Sequence, residues 1–178
     1  LAPGAYLVLV AGSGETPGLT YLGFSLNDSG EGVYLFDALA SGGGVRASNA
    51  GSELVALAEK LSIPVATSLN GKDSIPGLHP LSIGVSGTYS RESANRVIGQ
   101  ADLVCFIGTE TGGMTTNFWT VPKIGVAAIQ IDIEPECLGR NYPLRAAVLG
   151  DAKIVLARML EHADGKTAAK RKAWLEES

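Results

Sequence analysis

An α/β fold on a mostly parallel sheet is what this chain predicts, on three observations. Strand-like and helix-like patterns alternate along it. The strand-like runs are apolar on both faces, as in a sheet covered by helices on each side. Glycines fall at or just after the ends of apolar runs, at 84, 87, 108 and 150. In such sheets ligands bind outside the carboxyl ends of the strands.

The N-terminal part reads less clearly than the rest. "YLVLVAGSGETPG" is a strand followed by a glycine turn. Gly12, Gly14 and Gly18 do not make a dinucleotide fingerprint: Pro17 takes the third-glycine position and no helix pattern follows. "LTYLGFSLNDSGEG" reads as loop or hairpin. "GVYLFDALAS" then precedes the glycine turn "SGGGVRASNAG".

From residue 41 onward the order is regular. "SELVALAEKL" is a helix with Leu54, Val55, Leu57, Ala58 and Leu61 on one stripe. "IPVATSL" is a short buried strand, and "NGKDSIPGLHP" a loop marked by glycine and proline. "SRESANRVIGQA" is a second helix, with Ser90 as a candidate cap and Val97 and Ile98 on its apolar side. "DLVCFIG" and "VAAIQIDI" are strands separated by the aperiodic "TETGGMTTNFWTVP". After the turn-rich "EPECLGRNYP" comes a short strand, "AAVLG". Asp151 stands at the N-cap position of a last helix, "DAKIVLARMLEHA".

Composition bounds the function classes. The chain has 178 residues, the size of one ordinary domain. Its net charge of −4 gives no basic face for nucleic acid. The basic run "KTAAKRKAW" near the C-terminus reads as a solvated helix face or tail. No secretory signal is visible, and the longest apolar run is far short of a membrane span. Cys105 and Cys137 lie outside any CxxC pattern and read as reduced thiols of a cytoplasmic protein, although spacing alone leaves a disulfide between them open. His79 and His162 have no neighbouring nucleophile or metal-ligand pattern, so neither is assigned a catalytic or metal role.

What remains is binding chemistry. Two readings stand for the glycines at 42–44 with Arg46: an anion cradle at a helix start, or a tight turn beside a surface arginine. Asp132 and Glu134 in "IQIDIEP" end an apolar strand. A carboxylate there can accept the hydroxyls of a ribose. The alternative is a solvated strand end, with Glu134 in the turn before Pro135. Asp151 in "LGDA" is either close to an adenine edge or simply a helix cap, and local sequence favours the cap.

The ordered set "GGGVRASNAGSELVALAEKLSIPVATSLNGKDSIPGLHPLSIGVSGT", "ADLVCFIGT", "IQIDIEPECLGRNYP" and "LGDAKIVL" resembles the central domain of thiamine-diphosphate-dependent enzymes, in their acetolactate synthase-like branch. The resemblance covers 41–162. It leaves 1–40 as a divergent N-terminal segment and 163–178 as a C-terminal helix or linker. It implies a Rossmann-like three-layer α/β domain with a mostly parallel sheet of about six strands. It also implies flanking pyrimidine- and diphosphate-binding domains as partners, and a homo-oligomer.

In such enzymes this domain binds FAD or ADP, or serves as a spacer. Carried over by position, Gly43, Gly44 and Arg46 lie along the phosphates, and Thr67, Leu69 and Asn70 line the same groove. Gly84, Gly87 and Thr88 run beside a flavin, with Gly108 at the next strand end. Asp132 and Ile133 meet the ribose and adenine, and Asp151 and Ala152 close over the adenine. One departure stands out: flavin-binding members carry an arginine soon after the glycine of "FIG", where this chain has Gly108, Thr109 and Glu110. That carboxylate argues against FAD.

The resemblance places thiamine diphosphate and Mg only in a complete enzyme, because the activating glutamate and the Mg-diphosphate motif belong to the other domains. "LGDA" is not that motif, so this chain alone is expected not to turn over substrate. Two other readings compete: a free-standing enzyme using an NAD-type nucleotide, and an interaction module without a small ligand.

Overall fold

Each apolar run flanked by turn residues becomes a strand, and every strand pairing is parallel. The computed structural model describes residues 8–10, 33–37, 45, 48–90 and 92–163, with the backbone alone for 8–10 and 33–37. The strands are β1 (Val8–Val10), β2 (Val33–Asp37), β3 (Val65–Thr67), β4 (Ser82–Val85), β5 (Leu103–Ile107), β6 (Ala127–Asp132) and β7 (Ala146–Leu149). They lie in the order β1-β7-β6-β5-β2-β3-β4. Strands β2 to β7 alone follow the doubly wound order, with the chain reversing direction across the sheet between β2 and β5. The about six strands expected are these; β1 adds a seventh beside β7, with Val8 opposite Ala147.

Alternation along the strands sorts side chains into two cores. Val65, Cys105, Ile107, Ile129, Ile131 and Val148 face one way and pack with α1 (Gly51–Leu61) and α3 (Ala152–His162). Ala66, Val104, Phe106 and Ala128 face the other way and pack with Val97 and Ile98 of α2 (Glu92–Gly99). Two helical layers therefore enclose the sheet. Burying a large aliphatic side chain stabilises by roughly 1.5–3 kcal/mol, so these two faces supply most of the driving force.

The helix ends follow local chemistry. Helix α1 stops at Ser62, which is left-handed (φ 52°) and donates its N–H back to the last turn. Helix α3 starts at Asp151, whose side chain accepts from the N–H groups of Lys153 and Ile154. The two helices are tied by Lys60 Nζ donating to Leu160 O at 3.0 Å and by a Lys153–Glu53 ion pair at 3.7 Å.

Strand β4 was not expected from sequence. It is short, its register against β3 shifts between Val65 and Ala66, and Gly84 inside it has φ +93°. A glycine in that conformation reads locally as a turn. The predicted turn after β1, the hairpin or loop in the N-terminal segment and the tail after Ala163 lie outside the described residues. Among the described residues no helix is long and apolar enough to cross a membrane.

Candidate functional site

Parallel strands deliver all their C-terminal ends to one edge, and there the sheet holds a cavity of about 400 Å³. Ser68, Leu69 and Asn70 reach it from the end of β3, and Ser86 and Tyr89 from the end of β4. Thr109 and Glu110 reach it from β5, and the loop that follows supplies Gly112, Met114 and Thr115.

The walls are fixed mainly by main-chain groups. Ser86 N donates to Thr67 O at 2.8 Å, and Ser86 Oγ donates to Thr115 O at 3.1 Å. Thr88 N donates to Met114 O at 2.9 Å. Asn95 of α2 clamps Gly87: its Oδ1 accepts from Gly87 N and its Nδ2 donates to Gly87 O, both at 3.0 Å. Gly87 has φ +85°, and a Cβ there would collide with Met114 O. Glycine is required at 87 by both conformation and space.

The loop after β5 is equally determined. Asn117, Phe118 and Trp119 are consecutive left-handed residues, with φ of 47°, 55° and 60°. Phe118 N donates to Gly113 O at 2.6 Å, Trp119 N to Thr116 Oγ1 at 3.0 Å and Trp119 Nε1 to Thr111 O at 3.1 Å. These bonds hold a backbone shape that L-residues rarely adopt.

Gln130, which the sequence did not single out, stabilises the middle of the edge. Fully buried, it donates through Nε2 to Thr109 O and Cys137 O, both at 2.9 Å, and accepts from Gly139 N at 3.1 Å. The only local signal was a lone amide in an apolar strand, where a polar side chain needs partners.

Asp132, at the end of β6, is 2% exposed. Its Oδ1 accepts from Glu134 N at 3.0 Å, while its Oδ2 is buried with no hydrogen-bond partner. Burial raises its pKa above the ordinary aspartate value; backbone N–H groups of Glu134 and Ile133 oppose this, and the charges of Glu134 and Glu110 add to it.

The remaining sequence candidates lie along the same edge. Thr67 is buried at the end of β3, while Leu69 is exposed and lines the cavity with Asn70. Gly84 lies within β4, and Gly87 and Thr88 follow it. Gly108 (φ 59°) donates its N–H to Ile131 O at 2.8 Å, beside the start of Asp132. Ile133 is 44% exposed just beyond Asp132. Gly150 N donates to Asp132 O at 2.9 Å, bringing Asp151 and buried Ala152 next to β6. Gly43, Gly44 and Arg46 lie outside the described residues.

Of these candidates Leu69 and Asn70 line the cavity, Thr67, Gly87 and Thr88 touch residues that line it, and those of β6 and β7 are not among its lining. Glu134 begins the turn before Pro135, with Cys137 N donating to its carbonyl. His79 Nε2 lies 3.2 Å from Glu59 Oε1, a link between the 70–80 loop and α1. Both cysteines are free and buried.

A doubly wound parallel sheet with a cavity at its carboxyl edge defines a Rossmann-like α/β domain. The family model described as thiamine pyrophosphate enzyme, central domain, matches residues 38–159, and the chain belongs to that family. It is 35% identical over 121 residues to an acetolactate synthase large subunit of Buchnera aphidicola, covering 68% of this chain and 21% of the relative. It is 34% identical over 148 residues to a sulfoacetaldehyde acetyltransferase of Rhodobacter capsulatus, covering 78% and 25%. The chain thus spans about a fifth to a quarter of these curated relatives. An X-ray structure from Mycobacterium smegmatis, described as thiamin diphosphate-dependent, aligns with a TM-score of 0.55 at 24% identity. It covers 76% of this chain and 25% of the other, and the likeness is one of fold.

The chain's own residues can be tested against the groups such enzymes use. Thiamine diphosphate with Mg finds no fit at "LGDA", because Asp151 Oδ1 is engaged by Lys153 N at 2.9 Å and Ile154 N at 3.2 Å. At Asp132 the buried Oδ2 is an acceptor without a donor.

Proposed function

We propose that this chain is the central domain of an acetolactate synthase-like carboligase or decarboxylase. In this reading it is not catalytic alone. It holds the pyrimidine- and diphosphate-binding domains of the whole protein in place and carries a nucleotide at its sheet edge. The observation behind the nucleotide part is the unpartnered, buried Oδ2 of Asp132 at the end of β6.

Each residue has a stated task. Asp132 accepts ribose hydroxyls, and exposed Ile133 offers an apolar surface to the base. Gly87, because nothing projects from it, lets the chain pass close to Met114 and keeps the cavity open. Thiamine diphosphate, when bound by the other domains, supplies the carbanion chemistry of the whole enzyme. The residues of this chain orient and support.

A second reading, that of a ligand-free spacer, draws on Glu110 lining the cavity. Thermal unfolding with ADP or FAD separates the two. Ligand at about a hundred times its dissociation constant adds roughly 2.7 kcal/mol, a rise of roughly 5–10 °C for a chain of this size. Asp132→Ala should abolish that rise. No rise with either ligand leaves the spacer.

A further inference from the structure

Asn70–Gly71 is the only asparagine–glycine pair in the 178 residues. It sits in the turn after β3, where Ser68 and Asn70 both line the cavity. Asn70 is exposed and Gly71 is buried. Two hydrogen bonds fix the turn. Gly71 N donates to Ser68 Oγ at 2.9 Å, and Gly71 O accepts from Ser74 N at 3.1 Å.

The pair carries a latent reaction. The main-chain nitrogen that follows an asparagine can attack the side-chain carbonyl carbon of that asparagine. Glycine offers the least steric resistance to this attack, because it has no Cβ. The bond from Gly71 N to Asn70 Cγ forms as the Cγ–Nδ2 bond breaks. Ammonia leaves with the proton that Gly71 N gives up. Water then opens the cyclic imide at either carbonyl, and residue 70 becomes aspartate or isoaspartate, one mass unit heavier.

The structure opposes the first step. The attacking nitrogen must surrender its proton, and that proton is engaged by Ser68 Oγ on a buried glycine. Ser68 is itself 4% exposed, so the acceptor is fixed by the surrounding chain. Cyclisation then needs a local opening of the turn, and its rate follows how often that opening occurs. We propose that Asn70–Gly71 is a deamidation site in the cavity wall, held in check by the Ser68 hydroxyl. Reaction there sets a second carboxylate in a wall that already carries Glu110. It is a one-way change in the charge of the cavity, independent of whether a nucleotide binds.

The test incubates the full chain for weeks at mildly alkaline pH, with peptide mass spectrometry reading the one-unit gain at residue 70. A synthetic peptide of residues 66–74 gives the unprotected rate. The wild type should react at least about tenfold more slowly than the peptide. Ser68→Ala removes the acceptor and should react about three- to tenfold faster than wild type, the worth of one hydrogen bond in the opening equilibrium. Thermal unfolding checks that this variant is folded. Hydrogen exchange at the Gly71 amide needs no variant, and it should be strongly protected in the wild type.

A folded Ser68→Ala that reacts at the wild-type rate overturns the inference. So does a wild type that reacts as fast as the peptide. If Ser68→Ala does not fold, the exchange measurement decides: a wild-type Gly71 amide as open as that of the peptide overturns the inference, and a protected one with slow wild-type reaction supports it.

Discussion

Gly87 and Met114 touch backbone to backbone: a Cβ on residue 87 would overlap the Met114 carbonyl oxygen and lie 2.6 Å from the Thr115 carbonyl carbon. Residue 87 also has φ +85°. Gly87→Ala should therefore cost about 3 kcal/mol or more in urea unfolding, and the cavity should lose its shape. Gly84→Ala is the control. Its φ is +93° but nothing lies within 4 Å of a Cβ, so only the conformational cost of about 1–2 kcal/mol should appear.

Gln130 joins Thr109, Cys137 and Gly139 through one buried amide. Gln130→Leu keeps the volume and orphans Thr109 O and Gly139 N, at about 1–3 kcal/mol each before relaxation, while Cys137 O keeps its bond from Arg140 N. A loss of about 3 kcal/mol or more in chemical denaturation is expected. Gln130→Glu should be worse at neutral pH, because an acceptor would face the carbonyls of Thr109 and Cys137.

Asp132 gives a pH signature. Its folded pKa is raised, chiefly by burial, so the folded state binds this proton more tightly than the unfolded state does. Stability from this group is then lost as pH rises from the ordinary aspartate range through the raised value, and recovered on acidification. Asp132→Asn removes the titration. The stability of wild type relative to Asp132→Asn should fall as pH rises through that window and stay level above it. An identical pH dependence in both proteins would count against a strained carboxylate.

The thiols should be silent in the folded chain. Cys105 is 1% exposed, and burial pushes it up to about 12. Cys137 is also buried, with its pKa raised first by burial and then by the charge of Asp132. A thiolate-directed reagent at pH 8 should label neither within the time needed to label both in denaturant.

Asp151→Ala should cost about 1 kcal/mol through the lost cap of α3. If the stabilisation by ADP or FAD is unchanged in that variant, the residue acts on the helix alone.

Strands β5 and β6 were legible because their periodicity is local: Ile129 and Ile131 enter one core, Ala128 the other. Asp151 was legible for the same reason, since a cap depends on the next three residues. Asp132 was found by its place at a strand end, and the sequence favoured no fixed partner for it. The rest of the edge is non-local. Gln130 has partners at 109, 137 and 139, and Gly87 meets 114 and 95. No periodicity encodes such meetings. Strand β4 escaped because Gly84 imitates a turn, and because edge strands show little apolar alternation.

The clamps at 87 and 130 bind mostly carbonyl and amide groups of the chain rather than particular side chains. Those groups persist when neighbouring residues are exchanged. Positions such as 69, 89 and 110 can thus mutate without moving the walls they decorate. The domain has the properties of an evolvable socket, in which an inherited scaffold can change its guest, or go without one, by single substitutions.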